Sequence, residues 1–326
     1  MRATHTRCPA NCNPPPANDA ETLAAGAAAS GPAIVIRGGG VGDFLLAVPL
    51  LAALRRRHRR VLLVSRPAYH ALVQPEALVD ELVEVDGTLF GSLFGEPAPS
   101  WRRWLPGATV YTYQPDPGGD MTATVRRLGG VAVRQLDPRP TAPPHQVEQA
   151  FAAAGVPWTA ATLTTAWLAG ATPTPGDGPP QQLWLHPGSG DPRKNAPLTL
   201  FVAAAEQWLA AGGRGVTVSL GDADAALAAP ARRAMAHLPI GWVTGLSLPA
   251  LRARLAGSAP LYMGNDSGVG HLAGLLGLRC LVWFLATDPA IWAPLGPRVT
   301  CRRLAAAATG TDAAALTAWL AAARGG

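Results

Sequence analysis

A chain of 326 residues, 48% hydrophobic and 15% charged, exceeds what one hydrophobic core ordinarily serves, so two domains are expected. Its 36 glycines and 32 prolines follow no fixed period, which excludes a fibrous chain, and four cysteines are too few for a disulfide scaffold of this size. The net charge of +6 favours anionic partners without choosing among nucleotide phosphates, nucleic acid and a membrane surface.

Residues 1–30 contain Pro14-Pro15-Pro16 and an Ala/Gly stretch, and read as a disordered extension without the apolar centre of a secretory signal. Cys8 and Cys12 lack a second cysteine or histidine pair nearby, so zinc is not expected. Order begins at 33–37, a β-branched run that stops at Gly38-Gly39-Gly40. A helix is expected over 43–54, and the run Arg55-Arg56-Arg57-His58-Arg59-Arg60 follows it. That run reads either as a solvated helix end complementing the dipole or as a surface for a membrane or an acceptor.

Residues 61–64, 82–85 and 108–111 are further strand candidates, whereas 86–107 has little periodicity and reads mainly as loop. A helix is expected over 145–154, and 171–180 is the clearest linker in the chain. Beyond it, strands at 183–186, 216–220, 261–263 and 280–285 alternate with helices at 198–211, 223–237, 248–255, 268–276 and 312–324. Continuous apolar runs alternating with helices indicate parallel sheets covered on both faces.

The expected fold class is therefore α/β, with two Rossmann-like doubly wound domains, 31–170 and 181–326, facing a central cleft. Cys280 and Cys301, in strand-like runs, read as buried thiols and suit a reducing cytoplasm. No segment reaches the ~20 apolar residues of a membrane span.

Three motifs lie at strand-to-helix junctions. The first, Arg37-Gly-Gly-Gly-Val-Gly-Asp43, lets a ligand approach the backbone at Gly39, Gly40 and Gly42, and Asp43 suits either an N-cap or a functional carboxylate. Its spacing is not that of a dinucleotide fingerprint or a phosphate loop. The second, His186-Pro-Gly-Ser-Gly-Asp-Pro-Arg-Lys-Asn195, either offers Ser189, Arg193 and Lys194 to a diphosphate or is a solvated loop. The third, Gly264-Asn-Asp-Ser-Gly-Val-Gly-His271, places Ser267, Gly268 and Val269 at a helix N-terminus, where N–H groups cradle anions. Asp266 reads as a cap or as an acceptor of sugar hydroxyls, and His271 as a core residue or a ligand contact.

Taken in order and with their spacing, these motifs resemble glycosyltransferase family 9, the ADP-heptose:lipopolysaccharide heptosyltransferases. The resemblance runs from about residue 33 to 296 and extends to Thr244-Gly245-Leu-Ser-Leu248 and Thr287-Asp288-Pro289-Ala290-x-Trp292-x-Pro294-Leu-Gly296. It implies a GT-B fold, an acceptor on the N-terminal domain and a sugar nucleotide on the C-terminal domain. It assigns Asp43 as general base and Lys194 as the diphosphate's counter-charge, and it puts Asp266, Ser267, Gly268 and His271 in the donor site. An acidic residue after the second strand of the C-terminal domain is implied to contact the nucleoside, and Asp224 is the local candidate.

The implied activity is inverting transfer of a sugar from a nucleotide diphosphate, without cofactor or metal. The donor is an ADP-sugar, ADP-heptose in the first place, and the acceptor a glycan or glycolipid at the cytoplasmic face of the inner membrane. The alternatives are a sugar-nucleotide-binding GT-B protein without turnover and a glycosyltransferase using another donor. Nucleic acid is not an expected partner, for no basic-aromatic platform is visible. The chain departs from the family pattern in its three consecutive glycines, in Ala196 where tryptophan is common, and in Gly270 where Thr or Ser is usual.

Overall fold

The structure is a computed structural model that describes residues 31–168, 182–258, 261–304 and 310–324. The expectations for residues 1–30, for Cys8 and Cys12 and for the linker at 171–180 lie outside the described residues. Among these, two wholly parallel sheets are seen, of five and six strands.

The N-terminal sheet has the order β3-β2-β1-β4-β5, with β1 Ala33–Ile36, β2 Val61–Ser65, β3 Glu81–Glu84, β4 Thr109–Thr112 and β5 Ala132–Gln135. Both β1 and β2 are buried along their whole length, as expected of strands covered on both faces. Helix α1, Val41–Arg57, follows the glycine loop and buries every residue from Phe44 to Leu54 despite Pro49. It begins two residues earlier than the sequence suggests and continues through Arg57. The next helix, α2, is Pro67–Val73.

The stretch 86–107 is not the loop expected. It holds the one-turn helix α3, Thr88–Gly91, and two 3₁₀ turns, Ser92–Phe94 and Pro99–Arg103. These press Phe90, Leu93, Trp101 and Trp104 into an apolar cluster against Ile34, Ile36, Leu62 and Val110. Helical turns this short leave no periodicity to read, so burial rather than pattern orders the segment. Helix α4 is Asp120–Arg127.

The arginines after α1 are partly spent within the protein. Arg55 donates to Asp80 at 2.7 Å, and the Arg60 guanidinium lies 3.9 Å from the centre of the Trp104 ring. They sit about 20 Å along the helix from Asp43, at 1.5 Å per residue, which separates them from the glycine loop.

Helices α5 Gln146–Ala154 and α6 Ala161–Thr164 lead toward the second sheet. Its order is β11-β10-β9-β6-β7-β8, with β6 Gln182–His186, β7 Gly215–Leu220, β8 Ile240–Thr244, β9 Leu261–Asn265, β10 Cys280–Phe284 and β11 Val299–Arg303. Between these strands run α7 Leu198–Ala210, α8 Ala225–Ala234, α9 Leu248–Ser258, α10 Gly268–Leu275 and α11 Pro289–Trp292, and α12 Gly310–Arg324 closes the chain. Cys280 is buried as expected, whereas Cys301 on the edge strand β11 is only half-buried.

The two halves are packed together, not merely linked. One apolar cluster contains Phe44, Leu51 and Leu54 of α1, Leu251 and Leu255 of α9, and Leu272 and Leu275 of α10. Arg252 of α9 reaches across to the Glu76 carboxylate, at 2.8 Å through Nη1, and to the Leu72 carbonyl. The Leu168 N–H donates to the Leu275 carbonyl at 3.0 Å, and that of Gly296 to Leu163 at 2.9 Å.

His145 adds a contact that depends on protonation. Its Nδ1 accepts from the Val147 N–H at 3.3 Å, capping α5, so the Nε2–H donates to the Ala293 carbonyl at 2.9 Å. Burial pushes this imidazole from an ordinary 6.5 to about 4, against the opposite pull of the Ala293 carbonyl. Between these values the unfolded chain binds more protons than the folded one, so stability falls as pH falls through that window. This side chain is expected to remove about 2 kcal/mol of stability between pH 7 and pH 5. His145→Asn, which keeps an N-capping side chain, should lack that component. Urea denaturation at both pH values reads the difference, and equal pH dependence in the two proteins would exclude His145 as its source.

Candidate active site

In an open parallel sheet, ligands bind beyond the carboxyl ends of strands where the strand order reverses. Here those points lie between β1 and β4 in one sheet and between β6 and β9 in the other. The three motifs leave the carboxyl ends of β1, β6 and β9, so the topology brings all of them to switch points.

The first and third motifs touch. A Cβ on Gly42 would lie 2.9 Å from Cδ2 of His271, and one on Gly268 would overlap Val41. The starts of α1 and α10 therefore meet backbone to backbone, at a separation only glycine allows. Gly39, at φ +83°, turns the chain ahead of this contact, and its carbonyl accepts from the Tyr69 hydroxyl at 3.1 Å.

Asp43 is the third residue of α1. Its Oδ2 accepts from the Gly40 N–H at 2.9 Å, which caps the helix, and Arg37 Nη2 lies 3.4 Å from its Oδ1. Its side chain remains 36% exposed, enough for a ligand hydroxyl to reach. Both sequence readings thus coexist at this residue: it caps, and it faces out.

Asp266 is the hub on the other side. It is buried, and its carboxylate receives the Lys194 ammonium at 2.8 Å and the Thr287 hydroxyl at 2.6 Å, with His271 Nε2 at 3.5 Å. Burial alone would raise this carboxyl, but His271 and Lys194 together hold it well below the usual carboxylate range. Lys194 keeps 27% of its side chain exposed and so joins a buried anion to the cleft. Ser267 caps α10, its hydroxyl accepting from the Gly270 N–H at 3.3 Å.

The second motif is held from below by Asp224. Its Oδ1 accepts from the Gly190 N–H and its Oδ2 from the Gly221 N–H, both at 3.1 Å, and His186 Nε2 lies 3.7 Å away. A Cβ on Gly188 would overlap the same carboxylate. Asn265 ties the far side of the loop, its Nδ2 donating to the Pro187 carbonyl at 2.7 Å and its Oδ1 accepting from the Ala196 N–H at 3.0 Å.

Several expected ligand residues are engaged elsewhere. Asp224, expected at the nucleoside, is buried beneath the loop, because two backbone N–H groups and His186 surround it. Arg193 turns away from Lys194 into a chelate with Asp191, with Nη2 at 2.8 Å, and its side chain is 82% exposed. That pairing draws the Asp191 carboxyl down to about 2. The Ser189 hydroxyl lies within hydrogen-bond distance of the Asp191 carbonyl, at 2.7 Å, and of Asn195 Oδ1, at 2.6 Å, and can donate to one at a time, which shapes the loop from within. Gly268 and Val269 start α10 as expected, but Gly268 packs on Val41.

Asn265, Thr287 and Arg37 carry no expected role, although each lies inside one of the quoted motifs. Their polar character at a strand end next to glycine was the available signal. Among the described residues, no three His, Cys, Asp or Glu side chains cluster as a metal site, and no helix is long and apolar enough to cross a membrane.

Residues 180–314 match glycosyltransferase family 9 (heptosyltransferase). No curated protein matches the chain. Among solved structures it is similar to E. coli heptosyltransferase WaaC with ADP, at 17% identity and a TM-score of 0.65, covering 90% of this chain and 99% of that one. The ADP-heptose lps heptosyltransferase II of E. coli has 19% identity and a TM-score of 0.65, covering 90% and 98%. The glycosyl transferase family 9 protein of Veillonella parvula DSM 2008 has 16% identity and a TM-score of 0.63, covering 88% and 93%. The resemblance read from the motifs is borne out: residues 180–314 match the glycosyltransferase family 9 model, and the chain shares the GT-B fold of the heptosyltransferases.

Proposed function

We propose that this chain transfers heptose from ADP-heptose to a lipopolysaccharide-core or related glycan acceptor, with inversion at the anomeric carbon. The observation that carries the reading is the path from Asp43 through Gly42 to His271, Asp266 and Lys194, which joins a partly exposed carboxylate to a partly exposed ammonium. The neighbours support this donor class, for structures of E. coli WaaC have been solved with ADP and with ADP-2-deoxy-2-fluoro heptose.

In this reading the acceptor hydroxyl approaches Asp43, which takes its proton as the oxygen attacks the anomeric carbon. The bond to the diphosphate breaks on the opposite face, and the charge that gathers on the leaving phosphate is met by Lys194. Asp266 and Thr287 hold the ammonium in place. The N–H groups of Ser267, Gly268 and Val269 at the start of α10 add dipolar stabilisation. Asp224 acts through the backbone by fixing the Gly188–Gly190 turn rather than by touching the nucleoside. The arginine run at the far end of α1 is the surface for peripheral contact with the inner membrane.

Two variants test these roles. Lys194→Ala should weaken ADP binding by roughly tenfold or more while the fold persists, since a charge-assisted hydrogen bond contributes about 1.5–3 kcal/mol. Calorimetry with ADP, UDP and GDP reads both the effect and the base preference. Unchanged affinity in a folded variant would remove Lys194 from the donor site.

Asp43→Asn keeps a capping side chain, so stability should change little. Its kcat should fall roughly 10²–10⁴-fold with donor affinity preserved. The assay is nucleotide diphosphate release from a panel of ADP-, UDP- and GDP-sugars with a lipopolysaccharide acceptor. Near-normal turnover would leave Asp43 as a helix cap only. Wild-type inactivity with every donor would favour a sugar-nucleotide-binding protein.

A further inference from the structure

Arg37 directly follows β1 and its side chain is only 3% exposed, an unusual position for a permanent cation. Taking a guanidinium out of water is costly, and a well-packed apolar residue in such a place is often neutral or stabilising. Its contacts run toward one residue. Nε donates to the Asp43 carbonyl at 3.0 Å, and Nη2 stands 3.4 Å from the Asp43 carboxylate. The guanidinium is supported from behind by the Tyr113 ring, whose centroid lies 4.1 Å from Cζ. Ser65 holds the backbone, its hydroxyl donating to the Arg37 carbonyl at 2.7 Å.

The surroundings are incompletely satisfied. Arg37 Nη2, the Tyr113 hydroxyl and both amide atoms of Gln146 are buried, and none makes a hydrogen bond of good geometry among the described residues. Burial pushes the Tyr113 hydroxyl up, so it stays neutral beside the cation even though Arg37 draws it the other way. Buried polar atoms with unmet bonds lower stability. A fold tolerates such a cluster where a site needs it.

The site's need is geometric. A short carboxylate at the third position of a helix has several rotamers, and the Gly40 N–H fixes only one of its oxygens. Resting on the reading of Asp43 as general base, we propose that Arg37 is a positioning residue for that base. Its fork spans the glycine loop, with Nε bonded to the backbone carbonyl of Asp43 and Nη2 in ion-pair range of its carboxylate. The remaining lone pairs of the carboxylate are thereby aimed into the cleft, where the acceptor hydroxyl arrives. Lysine, a point charge, cannot make both contacts in one plane.

A double-mutant cycle tests this with Arg37→Met, Asp43→Asn and the two combined, using whichever sugar nucleotide of the panel supports wild-type turnover. Arg37→Met should lower kcat about 10²-fold, the scale of a small misplacement of a reacting group, with donor KM unchanged. Arg37→Lys should recover part of the loss. In the Asp43→Asn background, Arg37→Met should cause no further loss, because a residue acting through Asp43 has nothing left to position.

Losses that multiply in the double variant would overturn the proposal and leave Arg37 a structural residue. Normal turnover by Arg37→Met would do the same. Should Arg37→Met not fold, Arg37→Lys completes the same cycle. Failure of the base reading has a different signature, near-normal turnover by Asp43→Asn alone, and it takes this proposal down with it. Wild-type inactivity with every donor overturns both.

Discussion

The arrangement depends on one close approach, the meeting of the first turns of α1 and α10. Each helix brings a glycine to the contact, and a methyl group on Gly268 would overlap Val41. The approach sets the distance between the domains at the level of the motifs, since the apolar cluster behind it runs unbroken from α1 to α9 and α10. Close-packed interiors respond to sub-ångström changes, so a contact of this kind fixes an angle between domains as well as a distance. It also explains why both loops are glycine-rich. The residues serve the interface as much as any ligand, and a bulkier loop would hold the two halves of the site apart.

A consequence follows for the electrostatics. The chain carries an excess of cations, yet the ones nearest the cleft are matched by internal anions: Lys194 by Asp266, Arg193 by Asp191, Arg37 by Asp43. These pairs are not equivalent. The Arg193 pair lies in solvent, where screening weakens it, so its geometry is easily exchanged for another anion. The Lys194 pair has a buried partner held by three side chains, so the ammonium keeps its place whatever else binds. On the proposed reading, a diphosphate would meet one fixed cation and one that can turn.

The architecture was legible because its central strands are continuous apolar runs: β1, β2, β9 and β10 are buried throughout. The strands that escaped reading lie at sheet edges. β5 and β8 are half exposed, and β8 carries Gly241 beside Trp242, so neither has a run or an alternation to find. The motifs were legible for the same reason that makes them local: each is a few polar residues at a strand end. What could not be read was direction. Whether Asp224 faces a cleft or a loop, and whether Arg193 faces Lys194 or Asp191, is decided by partners 34 residues away in one case and two in the other.

That difference bears on how roles carry over between relatives of such low identity. A residue conferred by position alone, such as Asp224 after the second strand, can keep its place while its side chain supports a loop. Residues bound on several sides are constrained further. Asp266 cannot leave its pocket without stranding Lys194 and Thr287, and Asn265 cannot change without freeing two backbone groups of the neighbouring loop. Removing one partner from such a network exposes the desolvation cost of the others. The chemistry assigned to this site is accordingly best anchored on Asp266 and Lys194, whose geometry is over-determined. On the proposed reading, the more open position of Asp43 suits a proton acceptor, and Arg37 restrains it.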